Sequence, residues 1–156
     1  MKDTAFYQTL LGLIGITEKD GSIAELFFAK ELPENAAHQE TPLLKKAAKQ
    51  LEEYLAGIRQ EFNLPLFAEG TEFQKSVWEA LRRIPYGETC SYKQVAEAIG
   101  KPDAFRAVGM ANNKNPILIL TPCHRVVGAN GKLVGYAGGL EVKEKLLELE
   151  ESHASS

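Results

Sequence analysis

"PYGETCSYKQVAEAIGKPDAFRAVGMANNKNP" occupies residues 85–116 and holds two short helical patterns around a tight turn. Pro85-Tyr86-Gly87 closes the segment before it. Ser91 caps a helix over Tyr92–Ile99, with Val95, Ala96 and Ile99 turned inward. Gly100-Lys101-Pro102-Asp103 reads as a turn, and a further helix runs from Ala104 to Asn112, rich in alanine, with Arg106 inside it. Immediately upstream, "TEFQKSVWEALRRI" (71–84) sets Phe73, Val77, Trp78, Leu81 and Ile84 on one helical face. Three short helices, the last two joined by a tight turn, predict a helix-turn-helix unit.

Downstream of Pro116 the pattern changes. Ile117–Leu120 reads as an extended, buried segment leading into "TPCHRVV" (121–127). "GANGKLVGYAGG" (128–139) is glycine-rich, with Asn130-Gly131 as a tight turn. A last helix is predicted over Leu140–Glu150, carrying Val142, Leu146, Leu147 and Leu149, and "ESHASS" (151–156) reads as a frayed tail. Toward the N-terminus, apolar runs at 9–17 and 22–29 flank Asp20-Gly21, a hairpin signal because glycine supplies positive φ cheaply. Residues 33–40 read as a loop. Thr41-Pro42 then starts a helix with Leu43, Leu44, Ala47, Ala48, Leu51, Tyr54 and Leu55 at helical spacing, stopped at Gly57. Residues 58–70, broken by Asn63, Pro65 and Gly70, form a linker. The expected organisation is a small N-terminal domain with linker, 1–70, and a helix-turn-helix domain, 71–156.

The 156 residues suffice for one or two small domains with a real core. No apolar run approaches the roughly 20 residues that span a bilayer. The N-terminus lacks a basic segment followed by an apolar one, so a cytoplasmic protein without a membrane partner is expected. Two cysteines, Cys90 and Cys123, with scattered histidines at 38, 124 and 153, give neither a disulfide framework nor a zinc pattern. No metal and no cofactor are expected. The net charge of −3 conceals a split. Residues 71–135 hold 9 Lys and Arg against 5 Asp and Glu, whereas 1–70 hold 7 against 11 and 136–156 hold 2 against 5. A basic middle between acidic ends admits a local anionic partner or chance.

Cys123 beside His124 admits two readings. One is a nucleophile beside its base: a free thiol titrates near about 8.5, so an imidazole, oriented by a carboxylate, would activate it. The other is a small buried hydrophobe. Neighbouring residues of a strand point to opposite faces, so a direct pair requires a backbone bend or a bridging water. The seven residues alone leave both open.

"TPCHRV" resembles "IPCHRV", the active-site signature of the O6-alkylguanine-DNA alkyltransferases, or methylated-DNA–protein-cysteine methyltransferases, with Thr121 at the variable leading position. Residues 85–116 and "GYAGGLEVKEKLLELE" (135–150) are similar to that family at the expected spacing. The resemblance covers 71–150 and implies an α+β fold: an N-terminal ribonuclease-H-like α/β domain, then a winged helix-turn-helix-like, mainly α-helical DNA-binding and catalytic domain. It implies direct reversal of DNA damage, in which a methyl or other alkyl group passes irreversibly from O6 of a flipped guanine to Cys123. Larger alkyl groups and O4 of thymine are left open.

The resemblance makes His124 the water-linked base, Glu150 the carboxylate behind it, and Tyr92 the hydroxyl that serves the guanine N3. Tyr136, Ala137 and Gly138 would line the base pocket, with Ala137 standing where some relatives carry serine; Gly139 joins them in a loop that approaches the base closely. Arg106 would take the place of the flipped nucleotide, on a helix made narrow by Ala107 and Gly109. Asn115 would tie that helix to the active-site loop. Arg125 would be structural, and Cys90 a packing residue. The implied partner is double-stranded DNA carrying O6-alkylguanine, bound by a monomer. Two alternatives of other classes are a non-catalytic lesion-recognition protein, which would lack the acceptor cysteine, and a helix-turn-helix regulator with a thiol sensor. A cysteine protease would want a distant histidine.

Overall fold

The computed structural model describes residues 2–33 and 39–154, so part of the expected 33–40 loop, with His38, lies outside the described residues. The chain divides into two compact units, 1–68 and 69–156.

The first unit is an antiparallel meander, β1 (Lys2–Thr9), β2 (Gly12–Lys19) and β3 (Ser22–Ala29), with one helix, α1 (Pro42–Leu55). Asp20 and Gly21 both take positive φ, 50° and 84°, as a two-residue hairpin loop whose twist matches its strands requires. Gly15 pairs with Phe27 across the sheet, and the Phe27 ring fills the space where a Gly15 side chain would stand. Ala5, Ile14, Ile16, Ile23 and Leu26 bury one sheet face, and Leu44, Ala47, Leu51 and Tyr54 bury one face of α1. Thr41 caps α1 by accepting from the Leu44 N–H at 3.1 Å, with Pro42 in the first turn, and Gly57 ends the helix at φ 79°. Residues 65–67 are more than a linker. Ile23 N–H donates to Pro65 O and Phe67 N–H to Ile23 O, so this segment adds to the free edge of β3. The first strand, β1, carries no sharp apolar alternation and was not expected as a separate element.

In the second unit α2 (Glu72–Arg82) precedes β4 (Cys90–Ser91), α3 (Tyr92–Ala98) and α4 (Phe105–Asn113). Capping boxes start α2 and α3: Thr71 with Gln74, and Ser91 with Gln94. Val77, Trp78, Leu81, Val95, Ala96, Val108 and Ala111 make the core of the three-helix unit. Within it Trp78 Nε1 donates to the Ala111 carbonyl at 2.9 Å, locking α2 to α4. A 3₁₀ turn, Cys123–Arg125, then leads into β5 (Val126–Val127), and α5 (Leu140–His153) closes the chain.

Two expectations are corrected. Ile117–Leu120 is buried but is not an extended strand. Ile117 makes a single bridge, and Leu118–Leu120 form a turn. Its polar groups are satisfied locally, Thr121 N–H to Ile117 O at 3.0 Å and Leu120 N–H to Leu118 O at 2.7 Å, and Ile119 takes φ 69°. The last helix does not end at Glu150 but continues through His153. The following residue packs on the 85–87 turn: a side chain built on Gly87 would stand 2.4 Å from Ala154 Cβ. Among the described residues no helix is long and apolar enough to cross a membrane, and no group of three His, Cys, Asp or Glu is placed to hold a metal ion.

Candidate active site

The coil at Ile117–Leu120 is drawn together by Asn115. Its Oδ1 accepts from Ile117 N–H at 3.0 Å and its Nδ2 donates to Thr121 O at 2.8 Å. Thr121 is anchored a second time, its hydroxyl accepting from Arg82 Nε at 3.0 Å. The chain therefore arrives at Pro122 already fixed, and the 3₁₀ turn that follows supplies the bend that a Cys-His pair on a strand would lack. Directly after the turn, β5 pairs in parallel with β4, Cys90 opposite Val126 and Ser91 opposite Val127. Tyr92 follows β4 and opens α3, close enough to Cys123 for the thiol to bear on its phenol.

Cys123 is 1% exposed. Burial pushes its thiol up to about 11, while the Asn115 side chain, the Lys143 charge and the backbone act the other way. His124 and Glu150 are equally buried, joined by Nε2 and Oε2 at 2.7 Å. Glu150 also accepts from Arg125 Nε at 2.8 Å, Arg125 Nη2 at 2.9 Å and the Gly87 N–H at 3.3 Å. Burial alone would raise its carboxyl, but His124 and Arg125 outweigh that and hold it at about 2. A carboxylate can only accept, so the His124 proton sits on Nε2 and Nδ1 is the acceptor nitrogen of the ring. Burial lowers the His124 value below its usual range, the Glu150 carboxylate opposing, so the imidazole is neutral. Arg125 spans the site: besides Glu150, its Nη1 donates to Ile84 O at 2.6 Å, and its guanidinium lies 5.7 Å from the Tyr86 ring centre.

Two tyrosines face this group. The Tyr136 ring meets His124 edge-on at 6.5 Å, and its hydroxyl is buried without a hydrogen-bond partner among the described residues. Tyr92 donates to Val134 O at 3.4 Å. Burial raises both phenols, and the thiol of Cys123 adds to each. Ala137 and Gly138 follow Tyr136, and Gly139, at φ 97°, opens α5. Cys90 is half-buried in β4, and its thiol is raised by burial.

The predicted residues thus fall into two groups. Cys123, His124, Glu150, Tyr92 and Tyr136 converge, with Ala137 and Gly138 on the adjoining loop. Arg106 and Ala107 lie apart from them on the exposed face of α4, together with Phe105 and Met110. Gly109 does not share that outer face; a side chain there would touch the Tyr92 ring at 3.6 Å. Asn115 is buried, its amide engaged inside the protein, which puts it behind the exposed surface of α4. Sequence reasoning missed Arg82 and Lys143. Neither is marked in the local sequence as facing inward.

A family model described as 6-O-methylguanine DNA methyltransferase, DNA binding domain, matches residues 72–152, and its ribonuclease-like domain matches 4–68. The chain is 62% identical over 109 residues to a methylated-DNA–protein-cysteine methyltransferase of Methanosarcina barkeri, covering 70% of this chain and 69% of the relative. It is 49% identical over 153 residues to the enzyme of that name in Methanosarcina acetivorans, covering 95% and 97%. Among solved structures, Mycobacterium tuberculosis O6-methylguanine methyltransferase superposes with a TM-score of 0.88 at 42% identity, covering 98% of this chain and 94% of that one. Mycobacterium tuberculosis OGT in complex with DNA gives 0.87 at 43% identity, covering 97% and 94%.

Proposed function

We propose, since this chain belongs to the 6-O-methylguanine DNA methyltransferase family, that Cys123 is the residue through which it repairs DNA. The activity is direct-reversal alkyl transfer to a protein cysteine. The observation that carries the assignment is the buried Cys123 beside a neutral histidine held by the Glu150 carboxylate.

The thiol is protonated at neutral pH in the closed site, so it must lose its proton as substrate reacts. His124 Nδ1 takes that proton through a bridging water, and Glu150 stabilises the resulting imidazolium. Cys123 Sγ attacks the sp3 carbon of the alkyl group; the S–C bond forms as the C–O6 bond breaks. The electron pair passes into the guanine, and the Tyr92 hydroxyl supplies a hydrogen bond or proton at N3. The products are guanine and a thioether that nothing in the site can reverse, so each molecule acts once. The reaction balances without a cofactor.

A thiol this buried cannot reach a base stacked in a duplex, so the nucleotide is rotated out, at a cost of a few kcal/mol. Arg106, exposed on α4, fills the gap it leaves. Tyr136, Ala137 and Gly138 line the pocket that receives the base, Ala137 offering its backbone N–H to O6. The partner is double-stranded DNA carrying O6-alkylguanine, approached by a monomer along α4. Both cysteines are free thiols, in keeping with a reducing cytoplasmic setting.

The test is an intact-mass measurement after incubation with a duplex containing O6-methylguanine. The expected result is a gain of one methyl group, absent in Cys123→Ala. Unmodified protein that stays bound to the lesion supports lesion recognition without repair and overturns the assignment.

A further inference from the structure

The buried face of α4 is apolar except at one position. Val108 and Ala111 are buried there, and so is Asn112, 2% exposed. Neither the amide oxygen nor the amide nitrogen of Asn112 has a hydrogen-bond partner among the described residues. An unpaired buried amide costs free energy that an apolar side chain of the same size would not, so folding alone does not account for an asparagine here. The helix fixes where this amide stands, because residues three apart are neighbours on one face. Gly109, one turn before Asn112, faces the Tyr92 ring, which a side chain there would meet at 3.6 Å. Asn115, three residues after it, donates its backbone N–H to Asn112 O at 3.3 Å. The Asn115 side chain reaches Thr121 O at 2.8 Å and bears on the Cys123 thiol. Along this face Asn112 therefore lies between the Tyr92 phenol and the reacting sulfur. A second polar group of the site is idle in the same way: the Tyr136 hydroxyl is buried without a partner among the described residues.

With Tyr92 at N3 and Cys123 at the O6 substituent, a flipped guanine spans those two groups. N3 and C6 stand at opposite corners of its six-membered ring. One side between them carries N1 and the 2-amino group; the other is the fused bond to the five-membered ring, with no polar atom between the two corners. We propose that Asn112 is a specificity-determining residue whose amide bonds to that N1 and 2-amino edge. The inference rests on Cys123 as the acceptor and on Tyr92 at N3. Flipped bases are read through this Watson–Crick edge. Alkylation at O6 takes the proton from N1, so the edge presents an acceptor beside a donor. Asn112 Nδ2–H donates to N1, and Oδ1 accepts from the 2-amino group. Undamaged guanine keeps its N1–H and presents two donors in a row, which leaves Nδ2 facing a proton. The same side chain thus separates lesion from normal base. Its bond to N1 is lost once the guanine product regains the N1 proton after transfer, which favours release.

The probes are O6-benzylguanine and 6-benzyloxypurine, the same compound without the 2-amino group, reacted as free bases so that contacts to DNA do not enter. Single-turnover rates of the native protein should favour O6-benzylguanine. Asn112→Leu should reduce that preference about fivefold or more, the worth of one hydrogen bond. The same variant should hold or gain stability in a guanidinium chloride titration, since an unpaired amide gives way to an apolar side chain. An undiminished preference overturns the inference. So does a loss of stability with equal slowing on both compounds, the mark of an amide that serves packing. Should Asn112→Leu not fold, Cys123→Ala protein labelled with 15N-asparagine supplies the readout. The Asn112 side-chain NH2 resonance should move on addition of O6-benzylguanine and move less with 6-benzyloxypurine; an unmoved resonance overturns the inference. The gain of one benzyl group by native protein is measured first. Its absence would sink the Cys123 assignment, whereas its presence beside an unchanged preference would sink only this inference.

Discussion

Glu150 is the residue on which the site turns. It accepts from His124, twice from Arg125 and once from the Gly87 N–H, and it is 1% exposed. Removing one member of a buried charged pair strands the other, at about 3–5 kcal/mol. Glu150→Gln should cost that much in a guanidinium chloride titration; a loss below about 1 kcal/mol would mean that Arg125 finds another partner. Little of this could be read from the local sequence. In "LEVKEKLLELE" the charges look like a solvated face, and the leucines look like the core. The buried stripe is Lys143, Leu146 and Glu150, so two of its three residues are charged. Only the resemblance pointed to Glu150, and nothing pointed to Lys143, because an inward lysine is indistinguishable from an outward one until its acceptors are placed.

At the scale of elements, the clearest signals were those with a local cause. Asp20-Gly21 has the backbone freedom its turn needs, and Thr41 and Ser91 each cap a helix through their own hydroxyl. Ile117–Leu120 misled because a short apolar run reports burial and not backbone shape. Its shape is set by Asn115 and by positive φ at Ile119, an unfavourable conformation for a β-branched residue. The helix α4 illustrates a division of labour along one element. Val108, Ala111 and Asn112 are buried against the unit, whereas Phe105, Arg106, Ala107 and Met110 are exposed. If Arg106 fills the space of the flipped nucleotide, Arg106→Ala should slow repair of an O6-methylguanine duplex about 10- to 100-fold, the effect of a few kcal/mol of uncompensated unstacking. Reaction with free O6-benzylguanine should hardly change. Equal losses on both substrates would remove the assignment.

For the molecule as a whole, the buried groups set a window of pH. Glu150, held at about 2, stabilises the fold above the usual carboxylate value and loses its contribution as pH falls toward 2. His124 acts in the same direction. Its folded value is lowered, so the unfolded chain takes up the proton first, below about 6.5. Cys123 acts oppositely: the folded thiol keeps its proton up to about 11, so stability declines as pH rises above the unfolded value of about 8.5. Denaturation midpoints should be level between about pH 6.5 and 8.5 and fall on either side. Cys123→Ala should flatten the fall just above the window, before the tyrosines titrate; an unaltered alkaline limb would contradict the thiol as its source. Parallel pairing between β4 and β5 has a further consequence at this scale. With two residues per strand, its register rests on two pairs, Cys90 with Val126 and Ser91 with Val127. A slip by one residue would move Tyr92 about 3.3 Å along the strand and reverse which side chains face inward. The ladder therefore works as a vernier between α3 and the Cys123–Arg125 turn, and substitutions at Cys90 or Val126 should be felt as misalignment before they are felt as unfolding.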